Sequence, residues 1–232
     1  MLLLLGCAGT KELASDKNRA TILYFEGGGG KIVHDSFNPS SGKLINRSDR
    51  YFLTSGISIA FMNLNFEYPS YKAVSLRYTQ KHFLEIQRRV NGLLENGKTR
   101  IWLMGISMGS LSVLHAATNK IQGVEGLVII NPPTMIRWGE MKKIELPILV
   151  LVHEEDGGPF KFTSNEDFKA ICPSSKRPQL VTFSGGLTGK GVNATRLTQK
   201  YQHGLRGLEK KFVQTVINFI DSNVTSTTSV KQ

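Results

Sequence analysis

Cysteine is almost missing from this chain: Cys7 and Cys172 are its only two in 232 residues. So small a number excludes a disulfide framework. No close His/Cys/Asp/Glu set has metal-ligand spacing, so no metal is expected. Zinc-finger spacing and aromatic–basic RNA-binding motifs are missing as well. Lys and Arg outnumber Asp and Glu by 29 to 18, yet they are spread along the chain rather than run together. The net charge of +11 then describes a solvated basic surface suited to anionic surroundings, and no nucleic-acid partner is expected. The apolar start, Met1 to Leu5, is far too short to cross a bilayer and lacks the basic opening of a full signal peptide.

Nucleotide-binding signatures are missing too, although glycine is not. Gly27 to Gly30 form a run closed by Lys31. A P-loop would need glycine at Phe25 and a hydroxyl at Ile32. A second stretch, Ser184 to Gly191 (SGGLTGKG), has serine where the first glycine belongs and glycine where the hydroxyl belongs. The dinucleotide pattern G-x-G-x-x-G meets Ile32 or Val33 at its third glycine. No cofactor is expected.

What is present is a core. Hydrophobic residues make up 40% of the chain and charged residues 20%, the balance of a globular protein of one domain. Apolar runs at 20–25, 56–65, 99–107, 124–133, 146–156 and 179–186 read as strands. They are short and do not alternate, so both faces are buried. Segments 75–97, 108–119, 162–171 and 203–223 read as helices, with Ser164 capping the third. In the first of them Phe83, Ile86, Val90 and Leu93 share one face, and His82 reads as solvent-facing. Together these predict an α/β chain: a three-layer α/β/α sandwich around a mostly parallel sheet of about six strands. Residues 1–19 read as leader and linker, 20–222 as the domain and 223–232 as a polar, disordered tail. Between the fourth and fifth strands Thr134 to Glu145 leave too little chain for an inserted lid domain.

The chemistry starts at GISMGS, where Gly105, Ser107 and Gly109 make G-x-S-x-G. An apolar strand runs into it and a helix leaves it. That layout lets a serine sit on a sharp strand-to-helix turn with its hydroxyl projecting from the sheet edge, beside the free N–H groups of a helix start. A serine nucleophile needs a base, and the base needs an orienting carboxylate. Asp156 ends one strand run and His203 follows the last one, giving the order Ser107, Asp156, His203. Glu154 and Glu155 are alternatives to Asp156, each nearer the strand body. His153 reads as a packing or supporting histidine, His115 as a satisfied helix histidine and His34 as a surface one. The amide of Met108, just after the serine, is one expected oxyanion donor. The other is Gly28 in the glycine loop after the first strand, with Gly27 and Gly29 as neighbouring candidates.

These stretches resemble the α/β-hydrolase superfamily. The likeness rests on GISMGS, LPILVLVHEEDG, YQHGLRGLEKKFVQTVINFI and the glycine loop, and within the superfamily it is to small, lidless, dienelactone-hydrolase-like bacterial enzymes. It implies hydrolysis of a small-molecule acyl substrate (an ester, thioester or amide) without a cofactor. Two departures stand out: Glu26 occupies the place of the usual histidine before the glycine loop, and the usual two antiparallel strands at the N-terminal edge have no counterpart before Ala20. Acyl transfer by the same residues, and a non-catalytic binding protein on the same scaffold, are the rival readings. Lys190, Arg196, Lys200 and Arg206 near the proposed site suit an anionic substrate or simply a solvated surface. The sequence LLGC around Cys7 looks like a lipoprotein lipobox. On that reading Cys7 bears lipid and associates the protein with a bacterial membrane, at the envelope or periplasm; on the other it ends a short hydrophobic leader of a cytoplasmic protein.

Overall fold

The computed structural model describes residues 12–15, 17, 19–30, 37–64, 73–133, 136–156, 164–187 and 203–223. Cys7, His34, Lys190, Arg196 and Lys200 lie outside the described residues, as does the tail beyond 223.

The apolar runs form strands because both faces of each find cover. The strands are β1 (Glu12–Leu13), β2 (Ala20–Phe25), β3 (Ile57–Phe61), β4 (Ile101–Ile106), β5 (Val124–Ile130), β6 (Ile148–His153) and β7 (Pro178–Phe183). They lie in one sheet in the order β1-β3-β2-β4-β5-β6-β7. Every pairing from β3 to β7 is parallel. The helices are α1 (Leu44–Thr54), α2 (Ala73–Arg77), α3 (Gln80–Glu95), α4 (Gly109–Thr118), α5 (Asn165–Ile171) and α6 (Glu209–Ser222), with a 3-10 segment at Trp138–Lys143. On one side of the sheet Leu23, Phe25, Leu103 and Ile129 pack with Ile86, Val90, Leu111 and Phe168 from α3, α4 and α5. On the other, Ile22, Tyr24, Trp102 and Met104 pack with Phe52 of α1 and with Phe212 and Val216 of α6. Each such side chain contributes about 1.5–3 kcal/mol by leaving water. Trp102 has its room because residue 126 is glycine: a Cβ there would lie 2.2 Å from the indole ring.

Among the described residues the sheet has seven strands, where about six are expected. The extra one, β1, lies inside the stretch that composition reads as linker and pairs antiparallel with β3, Glu12 opposite Ala60 and Leu13 opposite Ile59. Two residues carry no periodic signal. The unpaired edge of β3 is what selects them. The segment 75–97 is likewise not one helix. Thr79 has extended backbone and its side chain accepts from the His82 amide at 3.2 Å, so α3 starts afresh there with an N-cap. That places His82, 3% exposed, on the buried face with Ile86, Val90 and Leu93, while Phe83 is only half-buried. The solvent-facing reading of His82 is therefore wrong, because its imidazole is held by a buried partner rather than by water. Ser164 does cap α5, accepting from the Asp167 amide at 3.1 Å. The segment 203–223 carries the last helix, which spans Glu209–Ser222 after a turn in which Leu205 and Gly207 take left-handed backbone.

Candidate active site

The C-terminal ends of β2, β4, β5 and β6 bring the chemistry-bearing residues to one edge of the sheet. Ser107 follows β4 directly and has φ of +51°, a left-handed conformation that costs a non-glycine residue about 1–2 kcal/mol. The two glycines of the motif make that turn sterically feasible. A Cβ on Gly105 would lie 2.6 Å from the backbone of Gly109, and one on Gly109 would lie 2.1 Å from the carbonyl oxygen of Phe25. Strand, helix start and glycine loop are thus stacked backbone against backbone around the serine. Met108 stands immediately before the first turn of α4, where amides have no intrahelical acceptor.

Asp156 lies in the turn after β6, its amide donating to the His153 carbonyl at 3.0 Å. Its two carboxylate oxygens both lie 2.9 Å from Nδ1 of His203. The carboxylate is 12% exposed and the imidazole 38%. A carboxylate on Nδ1 fixes the proton there and leaves Nε2 as the acceptor. Glu154 and Glu155 are exposed, and neither takes the place of Asp156 on His203.

One residue at the end of β5 ties these parts together. Asn131 is 1% exposed and left-handed, with φ of +39°, a conformation asparagine tolerates better than most residues. Its amide donates to Leu151 O at 2.8 Å. Its side chain accepts from the His153 amide at 2.9 Å and donates to the His203 carbonyl at 2.8 Å. The preceding residue, Ile130, accepts from the Ser107 amide at 2.8 Å. Serine and histidine therefore hang from two successive residues of one strand end. The turn after His203 has a second hold: buried Arg47 of α1 donates to Gly204 O and pairs with Glu209 at 2.6 Å. His153 bridges locally, its Nδ1 accepting from the Glu155 amide at 3.1 Å and its Nε2 donating to Gly185 O at 2.8 Å.

The glycine loop runs past the serine. A Cβ on Gly27 would lie 3.0 Å from that of Ser107. The Gly27 amide is occupied by the side chain of Glu26 at 3.1 Å, and Glu26 also pairs with Lys43 at 3.4 Å. Gly28 is exposed, has φ of +54° and has open space where a side chain would stand. Glu26 thus anchors the loop's first amide and leaves Gly28 exposed at the crest of the loop.

Cys172 and His115 are taken up by packing and hydrogen bonds within the fold. Cys172 is fully buried and burial pushes its thiol up to about 12. His115 bonds to Thr79 O at 3.3 Å and to the Asn119 side chain at 3.1 Å, and burial lowers its pKa. Arg206 reaches Ser40 O at 3.4 Å. Among the described residues no group of three His, Cys, Asp or Glu could hold a metal ion. Asn131, Arg47 and Arg77 were beyond sequence reasoning. The one available signal was the placement of Asn131 at the end of a buried strand, before Pro132.

No family model matches the sequence, and no curated protein matches it. Solved structures do match. A predicted CIB-like hydrolase from Thermoplasma acidophilum is similar over 92% of this chain and 91% of its own, with a TM-score of 0.57 and 20% identity. Dienelactone hydrolase from Anabaena variabilis covers 92% of this chain and 90% of its own at TM-score 0.57 and 11% identity. A monoacylglycerol lipase from Paleococcus ferrophilus covers 93% and 98% at TM-score 0.54 and 12% identity. Such identities bear on architecture alone, and over nearly the whole of both chains that architecture is shared: this chain has the α/β-hydrolase fold.

Proposed function

We propose that the protein is a serine hydrolase of small carboxylic esters, thioesters or amides, working through Ser107, His203 and Asp156. The observation that carries this reading is His203 Nδ1 lying 2.9 Å from both oxygens of Asp156, in a turn tied to the strand end that also holds Ser107. In the reaction His203 Nε2 removes the Ser107 hydroxyl proton as Oγ attacks the acyl carbon. Asp156 keeps the imidazole in the required tautomer and offsets its charge once protonated. The Met108 and Gly28 amides receive the oxyanion, a contribution of about 10²–10³ in kcat per donor. The imidazolium then protonates the leaving group. Water, deprotonated by the same histidine, releases the acyl group and restores the serine. No cofactor enters this cycle.

The test is labelling with a fluorophosphonate followed by peptide mapping. The expected adduct is on Ser107, absent in Ser107→Ala and strongly reduced in His203→Ala. A folded wild-type protein that takes no label would remove the hydrolase reading and leave the binding-protein reading in its place. Lipid attachment at Cys7 is a separate part of the proposal, carried by the LLGC sequence. Palmitate incorporated in a bacterial host and lost in Cys7→Ser would support it; an unlabelled wild-type chain would refute it.

A further inference from the structure

We propose that Arg77 is the positioning residue of the oxyanion loop, a buried cation whose hydrogen bonds orient the glycine peptides beside Ser107; this rests on the serine-hydrolase reading. Arg77 ends α2 and is 0% exposed. A cation in such a place is costly unless its hydrogens are used. One terminal nitrogen donates to Glu26 O at 3.0 Å and Gly28 O at 3.2 Å, and the other donates to Ser112 Oγ at 2.8 Å.

These acceptors decide which way the loop faces. In a trans peptide the N–H of the next residue points opposite to the carbonyl. Drawing the Glu26 and Gly28 carbonyls onto one guanidinium therefore turns the Gly27 and Gly29 amides away from Arg77. The peptide between them is held separately, since Gly27 O accepts from the Gly30 amide at 3.0 Å. That turn sets the Gly28 amide. Four successive glycines have more backbone freedom than any other residues, and nothing in their own side chains selects one arrangement. From outside, Arg77 fixes the peptides on either side of that turn, and so the setting in which the Gly28 amide is presented.

The third acceptor links the loop to the nucleophile. Ser112 lies on α4, the helix that leaves Ser107, so loop and helix start share one buried cation. Since Ser112 Oγ accepts from Arg77, its own proton is available to His82 Nε2, 2.9 Å away. Burial lowers the guanidinium to about 10, Glu26 opposing the shift, so it stays charged at neutral pH.

The experiment compares wild type, Arg77→Lys and Arg77→Met in ester turnover, with folded active sites counted by fluorophosphonate titration and inhibition by a boronic acid measured alongside. Lysine keeps the charge but cannot span both carbonyls and Ser112. The expected result is a fall in kcat per titrated site of about 10–10²-fold in Arg77→Lys and 10²–10³-fold in Arg77→Met. KM should stay within about twofold, and boronate affinity should weaken in parallel with kcat. A purely structural arginine would lower the number of titrated sites and leave kcat per site unchanged, which would overturn the proposal. Should both variants fail to fold, the crystal structure of phosphonylated wild type decides. The phosphoryl oxygen on the Gly28 amide, with both carbonyls still on Arg77, is expected; a loop released from Arg77 refutes the assignment. A wild type that takes no label is a different failure, that of the hydrolase reading itself.

Discussion

Ser107 shows how a single residue can be stable and strained at once. On the serine-hydrolase proposal its φ of +51° is tolerated because the hydroxyl, not the fold, needs a side chain there. Replacing it by glycine should relieve the left-handed penalty, whereas alanine retains it. Ser107→Gly is expected to exceed Ser107→Ala in unfolding free energy by about 1 kcal/mol, read from urea denaturation, with both variants inactive. Equal stabilities would mean that the turn is not strained. At this scale spacing and chain order pointed to the right neighbours: Gly105, Ser107 and Gly109 form a close-packed strand-to-helix turn, and Asp156 lies against His203, while their roles belong to the proposal. Residues that act by holding backbone carbonyls left no trace. Arg77 and Arg47 look like any other of the chain's many basic residues, and only three-dimensional contact reveals that both are buried.

Among elements, the end of β5 has the widest reach, since it joins β4, β6 and the His203 turn. Asn131→Gly keeps the left-handed backbone while deleting both side-chain hydrogen bonds. Orphaning the His153 amide and the His203 carbonyl should cost about 1–3 kcal/mol of stability. Releasing the histidine turn should lower kcat by up to about 10²-fold, because small misplacements of a reacting group are that costly. Thermal unfolding and ester kinetics check the two effects separately; full activity would mean that Arg47 alone positions the turn. Helices and strands with a clean apolar stripe were readable to within a few residues. Those that bury polar groups were not. α1 hides Asn46, Arg47, Ser48 and Asp49 from solvent, and the sequence reading places no helix there. β1 was invisible because a partner edge, not its own sequence, makes it a strand.

For the molecule as a whole, His82 couples folding to acidity. Burial, with Arg77 and His115 adding to it, lowers its pKa from 6.5 to about 3. Between those values the unfolded chain binds a proton that the folded one refuses. Its contribution to stability is therefore complete above the unfolded pKa and is lost as pH falls toward the folded one, with a limiting slope of about 1.4 kcal/mol per pH unit. His82→Gln should flatten the acid limb of a urea-midpoint profile between about pH 6 and pH 4; an unchanged limb would mean that the imidazole is already charged in the native state. The sandwich architecture was legible from the order of buried runs, while the buried polar chain from Arg77 through Ser112 to His82 was not, because it crosses three helices that sequence spacing cannot bring together.

The hydrogen bonds of Ile130 and Asn131 carry a consequence for motion. The Ser107 amide and the His203 carbonyl, of the proposed nucleophile and base, are suspended from neighbouring links of one chain. When the rim of the sheet breathes, both travel with it. A shared suspension preserves the gap between them, and on the serine-hydrolase proposal it is that gap, not either absolute position, across which a proton has to pass.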